Sequence, residues 1–207
     1  IVNYVQKHAS QLLPHLSPIQ SPMLCTSIYI RKVLGDNTAI AALSPCIAKK
    51  DEFVQTNLVD YNVTFSKLRE HFEKNNIDLT KVHVGESNFS TFEFDVMQGM
   101  VGSIYPRPGG LKSNLKLHAP LLNVISSEGT DSIYSTLDKY GEERDEILPQ
   151  VFDVLSCEHG CNGGPAVGQE YSVFRMESIM YDVEKYVKNK NSKQTVAGKN
   201  KLFRKFS

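Results

Sequence analysis

The residues best suited to hold an inorganic group are the four cysteines, Cys25, Cys46, Cys157 and Cys161. Two of them lie four apart in Ser156-Cys157-Glu158-His159-Gly160-Cys161-Asn162-Gly163-Gly164-Pro165, with three glycines around the thiols. Glycine lets backbone approach a bulky group and leaves amides free to hydrogen-bond sulfur. Zinc is one chemistry that fits, with three thiolates and His159 completing a tetrahedron. The C-x3-C spacing is looser than zinc prefers, however, and an iron-sulfur cluster makes better use of the glycines. A local disulfide is a third reading, and nothing in the composition points to an oxidising compartment. Cys46 follows a short apolar run and precedes Lys49 and Glu52, three apart. Those two are either an ordinary helical ion pair or a cation and an acid set beside a metal centre. Cys25, among Leu24, Ile28 and Tyr29, reads as a small core residue. The histidines other than His159 share no ligand spacing, and His8, His15, His71, His83 and His118 read as surface or satisfied core groups.

Both cysteine segments need a strand to deliver them. Thr38 to Leu43 is an apolar run bounded by turn signals, and Val151 to Leu155 runs directly into Cys157. Loops at strand ends are where α/β proteins build their sites. A helix is predicted from Ile1 to before Pro14, and a second from the Ser21-Pro22 cap to Gly35. Phe65, Leu68 and Phe72 mark an amphipathic helix from a Thr64 cap to about Asn75. A glycine-bearing loop follows from Gly99 to Gly110, then a strand at Leu121 to Ile125 and a helix at Asp131 to Tyr140 ended by Gly141. A long helix is predicted from Ala166 to about Lys188. Strands alternate with helices, so the class is α/β.

The chain has 207 residues, 41% apolar and 22% charged, which suits a globular domain with a real core. No run approaches the roughly 18 to 20 apolar residues of a membrane span, and no basic segment followed by an apolar one opens the chain. The expected location is therefore the cytoplasm, with no membrane partner. The first residue is Ile1 rather than Met, which reads as a piece of a longer protein. The 23 basic and 23 acidic residues cancel, but unevenly: eight Lys and Arg and no acid follow Glu184. Residues 189–207 therefore read as a basic, solvated linker or tail after a domain over 1–188. Only Tyr186 interleaves the lysines before Phe203, so nucleic acid is not the expected partner.

Four segments together have a family likeness. Ser44-Pro45-Cys46-Ile47-Ala48-Lys49-Lys50-Asp51-Glu52 resembles the second signature of FeFe hydrogenase large subunits, M-P-C-x-x-K-x-x-E. The Cys157 to Gly164 segment resembles the third, A-C-x-x-G-C-x-x-G-G. Leu16 to Met23 is similar to the family's L-S-x-x-x-S-P-Q stretch, and Arg107-Pro108-Gly109-Gly110 falls where the family carries a glycine pair near its active centre. The order and separation of all four agree over most of the chain.

The resemblance implies two similar α/β lobes, with small mixed or parallel sheets flanked by helices, and a cluster in the cleft between them. It implies a 4Fe-4S cubane in the intact protein, one of whose cysteines bridges to a diiron unit carrying carbonyl, cyanide and a dithiolate amine. Cys46 and Cys157 become cubane ligands and Cys161 the bridge. Lys49 donates a charge-assisted hydrogen bond to a cyanide and Glu52 orients that lysine. Ser21, Met23, Ser44, Pro45, Gly109, Gly110 and Leu155 become the cofactor's surroundings.

The departures carry their own implications. The family's first signature, T-S-C-C-P-x-W, supplies the fourth cubane cysteine and a proton-relay thiol; it is absent, so the chain reads as starting just after it and as not holding the cluster by itself. Met23 stands in place of a glutamine, and Ser44 and Leu155 in place of methionines. Such changes alter packing and hydrogen bonding at a metal, which set its potential. They resemble the sensory members of the family, whose chains add ferredoxin-type modules upstream and a signalling module downstream. Three functions stand side by side: a hydrogen-converting enzyme, a hydrogen or redox sensor with little turnover, and a cubane-only relative in iron-sulfur assembly.

Overall fold

A computed structural model describes residues 1–78, 99–168 and 171–193. Two β-α-β units carry the architecture. In the first, β1 (Ala41–Ser44) and β2 (Tyr61–Thr64) pair in parallel, Leu43 opposite Val63, with α3 (Lys49–Thr56) crossing between them. In the second, β3 (Val124–Glu128) and β4 (Val151–Leu155) pair in parallel, Ser126 opposite Asp153, with α6 (Thr130–Glu142) as the crossover. The expectation of an α/β fold with two similar lobes is met, and both sheets are parallel rather than mixed.

Each unit has its own core. Leu24 of α2 (Pro22–Ile28) is buried with Ala42, Phe53 and Val59 in the first. In the second, Val5 of α1 (Val2–His8) joins Ala9, Leu12, Ile133 and Leu137, with Phe152 and Val154 against them. Alternation along β4 thus sends Phe152 and Val154 to that core and Asp153 to the opposite face. There Asp153, 5% exposed, accepts from the Lys112 amide at 3.3 Å, in the first turn of α5 (Gly110–His118). Burial raises its carboxyl pKa above the usual range, and the amide contact partly offsets that.

Several boundaries differ from those read in the sequence. Ser21 does cap α2, its Oγ accepting from Leu24 N at 3.4 Å, but the helix widens at Tyr29–Val33 into a π turn before Gly35. The helix from Ile1 ends at His8, and Ser10–His15 continues as a 3-10 turn around Pro14. Gly141 does not stop α6, which runs on to Glu142. A Cβ at that position would lie 3.2 Å from Leu12 Cδ2, so the glycine serves close packing. The strand expected at Leu121–Ile125 is displaced to Val124–Glu128, and Leu121 is 98% exposed. The Thr64 cap is confirmed, with α4 spanning Phe65–Lys74. The final helix, α7, starts at Val173 rather than Ala166, where Ser172 Oγ accepts from Arg175 N, and runs to Lys193. Strand β2 and helix α5 lie where no element was expected. His83 and the tail beyond residue 193 lie outside the described residues.

Gly110 matters most for bringing the later glycine pair to the site. A Cβ there would stand 2.2 Å from the Ile104 carbonyl oxygen and 2.9 Å from Tyr105 Cα, both rigid backbone. Gly110→Ala is expected to force the start of α5 away from the 3-10 turn Met100–Ile104, lowering stability by about 1 to 3 kcal/mol. Denaturant unfolding checks this; an unchanged midpoint would show that the two backbones are not in contact.

Candidate metal centre

Cys46 sits two residues past the C-terminal end of β1, in a loop held by two side chains. Ser44, 1% exposed, accepts from the Cys46 amide at 2.9 Å and donates to the Cys46 carbonyl at 3.1 Å. Asn62 of β2 donates to the same carbonyl at 3.0 Å. Its Oδ1 is buried with no partner among the described residues, an uncommon state for a polar atom. Asn62 escaped the sequence reading because β2 did; an asparagine in a strand otherwise suited to Val and Thr was the available signal.

Cys157 follows β4, and the chain then turns through His159 and Gly160, both with positive φ. Cys161 N donates to the Pro106 carbonyl at 2.9 Å, which ties the thiol loop to the Pro106–Gly110 turn. At Gly160 a side chain is excluded twice over: φ is 73°, and a Cβ would lie 2.5 Å from the Pro106 oxygen.

The two cysteine loops meet. A Cβ on Gly164 would lie 3.4 Å from Cys157 Sγ and 3.3 Å from the Pro45 carbonyl oxygen. The chain continues onto the first unit, where Ser66 N donates to the Ala166 carbonyl at 3.0 Å. Burial pushes the Cys161 thiol pKa up, and negative charge on Cys46 and Cys157 pushes it further, while Lys49 pulls it down. Cys157 is raised by burial and then by Cys46. Charge coupling of this kind requires proximity, so Cys46, Cys157, Cys161 and Lys49 face one region. The Ile1 amino group faces it too, donating to Ser156 Oγ at 3.5 Å; burial lowers its pKa, and Cys46 and Cys157 raise it.

Lys49 opens α3 and pairs with Glu52 one turn later, each side chain about a quarter exposed. Pro45 and Gly164 line the contact between loops, and Gly109 and Gly110 belong to the turn behind Cys161. Leu155 ends β4, its carbonyl accepting from Gly129 N at 3.2 Å. Ser21 is engaged as a helix cap, and Met23 packs against the first core. Cys25 is exposed rather than a core residue, its Sγ donating to the Gln20 carbonyl at 3.4 Å. Free cysteine is small enough to sit on either face of a helix as short as α2, which is why the pattern misplaced it.

Among the described residues no three of His, Cys, Asp and Glu are gathered tightly enough for a single ion, so the zinc arrangement with His159, itself exposed, is not formed. A group touching all three sulfurs must be larger than one ion. Soft thiols and a side-chain-free wall at Gly164 suit an iron-sulfur group.

The family model described as iron only hydrogenase large subunit, C-terminal domain, matches residues 1–165, which include Cys46, Lys49, Glu52, Cys157 and Cys161. No curated protein gives a significant match.

In the metal-free chain, alkylation by iodoacetamide is expected to reach exposed Cys25 before Cys157 and Cys161. The rate for Cys161 should rise with pH later than for free cysteine, because its thiolate forms only at higher pH. Cys46→Ser removes a neighbouring negative charge and should move the Cys161 curve to lower pH. Site-resolved mass spectrometry reads this, and an unmoved curve would mean that Cys46 lies elsewhere.

Proposed function

The chain belongs to the family of iron-only hydrogenase large subunits, as their C-terminal domain, and from that membership we propose that the thiol centre holds a 4Fe-4S cubane linked to a diiron unit in the intact protein. When bound, that group supplies electron storage and the place where hydrogen is made or split. Cys46 and Cys157 would hold the cubane, and Cys161 would join it to the diiron unit. The observation that carries this reading is the meeting of the two cysteine loops from separate β-α-β units, where a Cβ on Gly164 would lie 3.4 Å from Cys157 Sγ and 3.3 Å from the carbonyl oxygen of Pro45, the neighbour of Cys46.

The surrounding residues have roles that follow from their chemistry. Lys49 offers a charged donor to an anionic ligand, and Glu52, on the next turn, fixes the direction of its amine. Ser44 spends its hydroxyl on the Cys46 loop and Met23 its side chain on the core, so neither offers a polar contact to the metal group. Polar neighbours tune the potential and reactivity of a metal group, and their change here supports sensing of hydrogen or redox state over rapid conversion. Ferredoxin-type modules would exchange electrons with it, and a downstream signalling module would receive its state. No helix among the described residues is long and apolar enough to cross a membrane, and the cytoplasm is the compartment proposed.

The test is anaerobic maturation of the full protein. Infrared bands of carbonyl and cyanide together with a cubane signal are expected, with hydrogen uptake at least about tenfold below that of an efficient hydrogenase. Full-rate uptake would replace the sensory reading with the enzymatic one, and a cubane without those bands would support the assembly relative. Cys161→Ala should lose the infrared bands while keeping much of the cubane; equal loss of both would remove Cys161 from the bridging position.

A further inference from the structure

Helix α7 lies beyond the family-matched residues, yet it is tied to the turn that backs the thiol loop. Arg107 forks between two carboxylates on one face of α7, Nη2 to Glu177 at 2.8 Å and Nη1 to Glu184 at 3.0 Å. The two acids are seven residues apart, two helical turns, so their separation matches a shared face. Lys188 closes the network on Glu184 at 2.6 Å. Next to this face Met176, Met180 and Val187 are buried, and α7 packs along the 3-10 turn Met100–Ile104.

From Arg107 the connection to the thiols is short. The preceding residue, Pro106, accepts the Cys161 amide, and both Pro106 and Pro108 press on Gly160. The Arg107 carbonyl itself accepts from Gly110 N at 2.9 Å, and the Arg107 amide donates to Ile104. The guanidinium therefore leaves from the middle of a turn whose backbone is bonded to the Cys161 loop on one side and to the start of α5 on the other.

We propose that Arg107, gripped by Glu177 and Glu184, is a positioning residue for the Cys161 loop, and that α7 is thereby the outer brace of the candidate metal centre. The inference rests on the reading of that centre given above for its effect on a bound group, but its effect on the loop itself needs no group. Each ion pair is partly exposed, and alone would contribute little. Two carboxylates on one planar fork fix the orientation of the side chain, which a single pair or a lysine point charge does not. Displacement of α7 would release the Pro106 carbonyl from its place behind Cys161, and the amide of Cys161 would lose its acceptor.

The test has one arm without metal and one with it. In the metal-free chain, Glu177→Gln/Glu184→Gln should speed amide exchange across residues 157–164 by about three- to tenfold, the range that loss of two such pairs allows. Faster exchange confined to α7, with residues 157–164 unchanged, would overturn the proposal. Arg107→Lys keeps the charge and removes the fork, so it guards against a doubly substituted helix that fails to form; it should give an intermediate rate, and a wild-type rate would also overturn the proposal. In the metal-loaded protein the cubane reduction potential should shift in the Gln variant and by less in Arg107→Lys. If exchange responds as expected and no cluster can be loaded, the brace stands and the function proposed above fails; if a cluster loads and exchange does not respond, the reverse holds.

Discussion

Three thiols drawn partly out of water into one region cannot ionise independently. A thiolate formed nearby raises the cost of the next, and burial pushes the Cys157 and Cys161 thiols up. A positively charged metal group reverses that balance, because thiolate is the form that binds it. The protein must therefore hold the sulfurs together while they are protonated and mutually unhelpful. It does so through backbone: Ser44 and Asn62 fix the Cys46 loop, and the Pro106 carbonyl fixes Cys161. Glycines at 160 and 164 keep side chains out of the contacts between these segments.

The sheets explain why the loops arrive together. Each cysteine loop follows the C-terminal end of a parallel strand, where β-α-β geometry leaves backbone groups free of the ladder. The cores beneath are separate, Leu24 with Phe53 in one and Val5 with Ile133 in the other. The units also meet at the loops, Pro45 against Gly164 and Ser66 with Ala166, and Asn3 of α1 donates to Asp51 of α3 at 2.6 Å. A centre built between two independently cored units can respond to small shifts of either, which suits a module that reports state as well as one that turns over substrate.

Legibility in the sequence followed the strength of local signals. Val151 to Leu155 was readable to the residue because its apolar run ends abruptly at a polar turn, and the cysteine and glycine spacing of the following loop marked it as a metal-binding candidate. Tyr61 to Thr64 was not, since four residues with an asparagine among them carry little periodicity and pair only through the tertiary fold. Gly141 looked like a stop because glycine is a poor helix former, and only the proximity of Leu12 explains its place inside α6. Nothing local announced the grip of Arg107 on α7, because the acids stand 70 and 77 residues away in the chain.

The most direct measurement of convergence is iron-sulfur reconstitution of the chain with a small thiol supplied as the fourth ligand, read by Mössbauer spectroscopy. Cys46→Ser should diminish the cubane signal as severely as Cys157→Ser, because both sulfurs hold the same inorganic core. A full cubane signal in Cys46→Ser, with the signal lost in Cys157→Ser, would contradict the assignment of Cys46 to the core that Cys157 holds.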